Sequence, residues 1–197
     1  LVPRVATWAG CAMSGSDKRP GPAYLPGDPT PPVDAMIRVD HAGEFGAVRI
    51  YEGQLAVLPP GPARDAVQEM AAQEQEHLAT FNALIADRGV RPTALSPLWH
   101  VAGYALGAWT ARMGPRAAMA CTVAVEEVID AHYREQAERL GNDEADLKGV
   151  IEKFRADELA HRDTALDHEA EQAAGCPVLS ALVKAGSRAA IWLSTRF

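Results

Sequence analysis

Cysteine is scarce in this 197-residue chain: Cys11, Cys121 and Cys176 are odd in number and far apart. That number and spacing fit a reducing compartment better than a disulfide framework. With no Cys-x-x-Cys, zinc ribbons and rubredoxin-type sites are excluded as well. No Lys/Arg-rich run occurs and the net charge is -7, which argues against nucleic acid as a partner.

What the chain does contain is a doubled spacing. Glu44 is followed after 30 positions by Glu74 with His77, and Glu126 after 32 positions by Glu158 with His161. With 14 Glu and 6 His, about half of one Glu-x-x-His is expected by chance, so two, each preceded by a Glu at nearly equal distance, form an internal repeat. Residues three apart share a helix face, so each Glu-x-x-His turns a carboxylate and an imidazole toward one point. Four Glu and two His facing inward from four helices are the ligand set of a di-iron or di-manganese carboxylate bundle. Tyr51 follows Glu44 by seven residues and Tyr133 follows Glu126 by seven, which places each Tyr two turns below its Glu.

Residues 1–32 are rich in Pro, Gly and Ser and are expected to be disordered; residues 33–197 are expected to form one domain. The lead-in lacks a long apolar core for a secretory signal, although residues 1–13 are free of acids, as in a transit peptide; Met13 is a candidate start. Helical periodicity and Pro/Gly punctuation predict helix one over Val33–Leu58, helix two over Pro62–Asp87, helix four from Pro115 to Leu140 and helix five over Asp143–Ala173. Gly43 and Gly46 flank Glu44 inside a helix, at about 1 kcal/mol each, and call for a close approach or a gap beside the metal. Glu126 shares its face with Met119, Val123, Ile129 and Tyr133, whereas Glu127 faces solvent near Arg134. Asp157 and Asp40 are candidates to orient metal-bound groups; His41 and His132 read either as further supports or as solvent-exposed or capped histidines, and His100 and His168 as structural or surface residues.

Two stretches exceed a four-helix bundle. Ala94–Ala111 has no charged residue over 18 positions and carries Gly103 and Gly107, a small-x-x-x-small step. With Pro97 and His100 inside and Trp99, Tyr104 and Trp109 along it, it reads as an amphipathic or shallowly inserted helix rather than a span. Cys176–Phe197 sets Leu179, Leu182, Val183, Ile191 and Trp192 against Lys184, Arg188 and Arg196, the pattern of a membrane-surface helix or of one packed on helix three. Leu106 and Trp192 are the expected hydrocarbon-facing residues.

At IRVDHAGEFGAVRIYEGQLAVL, ACTVAVEEVIDAHY and FRADELAHRD the sequence resembles the demethoxyubiquinone hydroxylase family of ubiquinone biosynthesis, over Met36 to Phe197. The resemblance implies an all-α, ferritin-like four-helix bundle with two extra helices, and a di-iron monooxygenase hydroxylating the ring of a demethoxy polyprenyl quinone with O2 and an external reductant such as NADH. It implies that Glu44 and His77 hold one iron, Glu126 and His161 the other, and Glu74 and Glu158 bridge. Expected partners are the quinone, the membrane surface, other members of a ubiquinone-biosynthesis complex and a second copy of the chain. The expected location is peripheral, on the cytoplasmic face of a bacterial inner membrane or the matrix face of a mitochondrial one. Carboxylate and imidazole ligands without thiolate suit iron. The alternatives are a ferritin-like iron-storage or peroxide-scavenging protein, a metal-free membrane-associated bundle, and an integral membrane di-iron oxidase.

Overall fold

The computed structural model describes residues 32–197, so the expectation of disorder over 1–32 falls almost wholly outside it. Among the described residues there are six α-helices and no strand: α1 (Pro32–Val57), α2 (Pro62–Arg88), α3 (Ser96–Arg112), α4 (Pro115–Arg139), α5 (Ala145–Asp167) and α6 (Cys176–Ser194). Proline in the first turn starts α2, α3, α4 and α6, where its missing N–H costs nothing. Gly89 closes α2 in the left-handed region at φ 65°, a conformation that would strain other residues.

The long helices α1, α2, α4 and α5 form the bundle, with α1 packed on α2 and α4 on α5. Two apolar clusters fill it. One gathers Val67, Met70, Met119, Cys121 and Leu179 around Tyr51, and the other gathers Ile37, Phe81, Leu147, Ile151 and Phe154 around Tyr133. On α1, Glu44 falls between Ile37 and Tyr51; on α4, Glu126 falls between Met119 and Tyr133. The acids therefore form a polar layer with apolar packing above and below, which keeps water out.

Helix α3 lies against α1 through glycines. A Cβ on Gly107 would run into the Ile50 carbonyl, one on Gly53 into the Tyr104 carbonyl, and one on Gly103 would sit 3.0 Å from the Gly46 carbonyl oxygen. The small-x-x-x-small step is thus a seam between α3 and α1, not a lipid-facing dimer motif. Leu106 turns inward and packs on the core, whereas Leu98, Val101 and Trp109 stay exposed. At 17 residues α3 extends about 26 Å, and no helix among the described residues is long and apolar enough to cross a membrane. Helix α6 buries Leu179 and Val183, packs mainly on α4, and leaves Val178, Leu182 and Trp192 exposed. It touches α3 where the Trp99 indole donates to Ser194 at 2.9 Å.

Helix α5 ends six residues sooner than periodicity predicts. Glu169 takes φ 60°, and the chain turns so that Ala170 and Ala173 bury against the α4 side of the core. A non-glycine residue there costs about 1–2 kcal/mol. The turn lets α6 return along α4.

Candidate metal centre

Glu74 with His77 on α2, and Glu158 with His161 on α5, stand three residues apart on the buried faces of their helices, opposite Glu44 on α1 and Glu126 on α4. None of the six is more than 3% exposed. Two groups of potential ligand atoms each lie within 4.8 Å of one another: Glu44, Glu74, His77 and Glu158, and Glu74, Glu126, Glu158 and His161. Glu74 and Glu158 belong to both. The His77 Nδ1 is 3.5 Å from Glu44 Oε2 and 3.3 Å from Glu158 Oε1, and the His161 Nδ1 is 3.1 Å from Glu74 Oε1 and 3.3 Å from Glu158 Oε2.

Both Glu74 oxygens, one oxygen each of Glu44, Glu126 and Glu158, and Nδ1 of both histidines are buried without a hydrogen-bond partner. Seven such atoms aimed at one space would be heavily destabilising in a core that held nothing there. Four carboxylates balance two divalent ions, so the residues fit a pair of metals. Protons take the place of metal otherwise. Burial, with Glu158 adding repulsion, pushes Glu74 well above the carboxylate range, and burial raises Glu126 likewise. Burial also works to raise Glu158, but the His161 and His77 imidazoles beside it hold it down to about 2. Burial works to lower His77, but the neighbouring Glu158 and Glu44 carboxylates carry it up to about 10.

The supports of these residues cross between the halves of the repeat. Tyr51 on α1 donates to Glu126 Oε1 at 2.8 Å, and Tyr133 on α4 donates to Glu44 Oε1. Each Tyr does stand two turns from its own Glu, but seven residues span about 10 Å, beyond the reach of a phenol, so each bonds the opposite one. Burial and the adjacent carboxylates raise both phenols well above their usual range, which keeps them protonated donors. Asp157 supports His77 of the other helix, with Oδ2 3.2 Å from Nε2. Gln73, which the sequence reading passed over, does the same for His161 at 2.8 Å. Its position, directly before Glu74 as Asp157 is before Glu158, was the signal.

Asp40 is buried and bonded to Gln136 at 2.8 Å, with His132 Nε2 at 3.3 Å. His41 meets Asn82 at 3.1 Å, and His100 is exposed, its ring 6.0 Å from that of Phe45. Glu127 pairs with Lys184 of α6 rather than facing Arg134. An apolar cavity of about 260 Å³ adjoins the Glu44 and Glu126 stretches, lined by Gly43, Gly46, Ile50, Leu106, Val125 and Ile129 among others. Gly46 opens onto it: a Cβ there would meet nothing within 4 Å.

A family profile described as ubiquinone biosynthesis protein COQ7 matches residues 32–194. The chain belongs to that family. It is 55% identical to the 3-demethoxyubiquinol 3-hydroxylase of Rhodospirillum rubrum over 187 residues, 93% of this chain and 88% of the relative. It is 55% identical to the mitochondrial NADPH-dependent 3-demethoxyubiquinone 3-hydroxylase of Dictyostelium discoideum over 83% of this chain and 77% of that one. The human protein of the same name is 51% identical, with the same shares covered. Family membership and the helical bundle agree with what the sequence motifs imply.

Proposed function

We propose that this chain is a 3-demethoxyubiquinol 3-hydroxylase of ubiquinone biosynthesis that works through two irons, Glu44 with His77 holding one, Glu126 with His161 the other, and Glu74 and Glu158 bridging. The observation that carries the reading is the pair of buried ligand groups sharing Glu74 and Glu158 beside an apolar cavity. When bound, two ferrous ions would supply the two electrons with which O2 gives one oxygen atom to the ring and the other to water; a nicotinamide nucleotide, as the names of the eukaryotic relatives indicate for them, would return the irons to the ferrous state.

The chain's own residues do the rest. Tyr51 and Tyr133 hold the lone carboxylates at fixed angles, and Asp157 and Gln73 fix the imidazoles with the proton on Nε2 and Nδ1 facing the centre. The two apolar clusters exclude water. The cavity is somewhat below the about 300–1,000 Å³ of pockets that enclose a whole small ligand. It suits a quinone ring whose prenyl tail stays outside. On this reading the tail lies at a membrane surface; the exposed apolar residues of α3 and α6, with the exposed Arg112 and Arg188 on the same helices, support peripheral binding there. Iron storage is the weaker reading, because a soluble cage protein has no use for these apolar faces.

The test is chromatography of quinones from a host lacking its own hydroxylase. The demethoxy intermediate should give way to the hydroxylated product on expressing this chain, and not on expressing Glu158→Ala. Persistence of the intermediate with well-folded, iron-loaded wild-type chain would sink the assignment.

A further inference from the structure

The ligands of the centre obey the internal repeat, and their supports break it. Positions 73 and 157 correspond through the offset of 84 that relates Glu74 to Glu158, yet one is Gln and the other Asp. Each presents an oxygen to the outer nitrogen of a histidine, Asp157 to His77 at 3.2 Å and Gln73 to His161 at 2.8 Å. Both fix the ring; only Asp157 adds negative charge. The offset of 82 that relates Glu44 to Glu126 shows a second break in the same sense. Asp40 stands one turn before Glu44, held by Gln136 at 2.8 Å, while the matching position before Glu126 is Thr122 and the counterpart of Gln136 is Gln54, bonded to the Ala118 carbonyl at 3.1 Å. In both cases the acid lies beside the Glu44–His77 half.

We propose that the two metal positions are unequal, and that the Glu44–His77 position takes its ion first and more tightly because a carboxylate supports His77 where an amide supports His161. The proposal rests on the dinuclear reading above. A carboxylate accepting the outer N–H makes an imidazole a stronger donor to a cation; an amide orients the ring with far less gain in basicity. The ligand set alone, equal on the two sides, would bind both ions alike.

The experiment is a titration of the metal-free full chain with Mn²⁺, the weakest binder of the first-row divalent ions, with free Mn²⁺ counted by electron paramagnetic resonance. Wild type should bind two ions in steps whose affinities differ by about tenfold or more. Asp157→Asn keeps an oxygen acceptor and removes the charge, so the first step should weaken by about 10–100-fold while the second moves little. Asp157→Glu should restore it. Gln73→Glu, at an exposed position, should tighten the second step and close the gap; it carries the test if Asp157→Asn does not fold. Equal affinities in wild type, or equal weakening of both steps in Asp157→Asn, would overturn the proposal. Fewer than two ions bound at saturation would instead remove the dinuclear reading, and this inference with it.

Discussion

The Tyr51 hydroxyl on α1 donates to Glu126 Oε1 on α4 at 2.8 Å, seventy-five residues away, while its repeat mate Tyr133 returns the bond to Glu44 on α1. The pair laces the two halves together across the polar layer. Removing one hydroxyl leaves a buried carboxylate oxygen without its donor, at about 1.5–3 kcal/mol. Tyr51→Phe and Tyr133→Phe should each lower the melting temperature by several degrees and reduce turnover about tenfold or more, equivalent to about 1.4 kcal/mol or more of misplacement. Iron content should stay at two per chain. Loss of iron together with turnover would make the tyrosines part of metal retention.

The glycine seam gives a second prediction, with a built-in control. Gly107→Ala pushes a methyl into the Ile50 carbonyl and should cost about 1–3 kcal/mol as α3 lifts from α1, read as a drop in thermal midpoint. Gly46→Ala faces the open cavity and should leave the fold intact or slightly firmer. Gly46→Leu should fold too, yet raise the apparent Michaelis constant for quinone by crowding its ring.

The metal-free chain should lose stability as pH rises from about 6.5 to about 10. His77, raised from 6.5 to about 10, stabilises the fold fully below the lower value and ceases to as pH passes the upper one. Glu74 and Glu126 are also raised, so the folded state resists their ionisation and weakens in the same direction. Glu158, lowered from 4.5 to about 2, contributes above 4.5 and withdraws only in strong acid. Two bound cations replace these protons. Calorimetric scans at pH 6.5 and 9.5 should therefore show a fall for the metal-free chain and a much smaller one after loading.

Membrane docking should separate from metal binding. Val101→Glu on α3 and Leu182→Glu on α6 place acids on faces that are about two-thirds exposed and apolar. Both variants should keep two irons and lose sedimentation with liposomes, and they should turn over a long-tailed quinone poorly while handling a short-tailed analogue normally. Unchanged liposome binding would place the membrane contact elsewhere.

Much of this was legible from spacing alone. Pro62, Pro115 and Gly89 mark helix ends because their backbone chemistry is local, and the inward turn of Glu44, Glu74, His77, Glu126, Glu158 and His161 follows from helical geometry. Which partner each support would choose was not legible. The repeat equates Tyr51 with Tyr133 and Gln73 with Asp157 but is silent on whether they serve their own half or the other, a matter of how helices pair in space. The uncharged run of α3 fitted both lipid and protein, and the structure divides it: Gly103, Leu106 and Gly107 face protein, Leu98 and Val101 do not. The early end of α5 at Asp167 had no proline or glycine to announce it, since burial of Ala170 and Ala173 sets that turn.

Iron stoichiometry decides whether the two halves of the repeat build a two-iron centre. Anaerobic titration of the metal-free chain with ferrous iron, followed by metal analysis of the desalted protein, tests it most directly. Wild type should bind two irons per chain and Glu158→Ala neither, since Glu158 belongs to both groups of potential ligands. One iron per chain, or an unchanged two in Glu158→Ala, would contradict it.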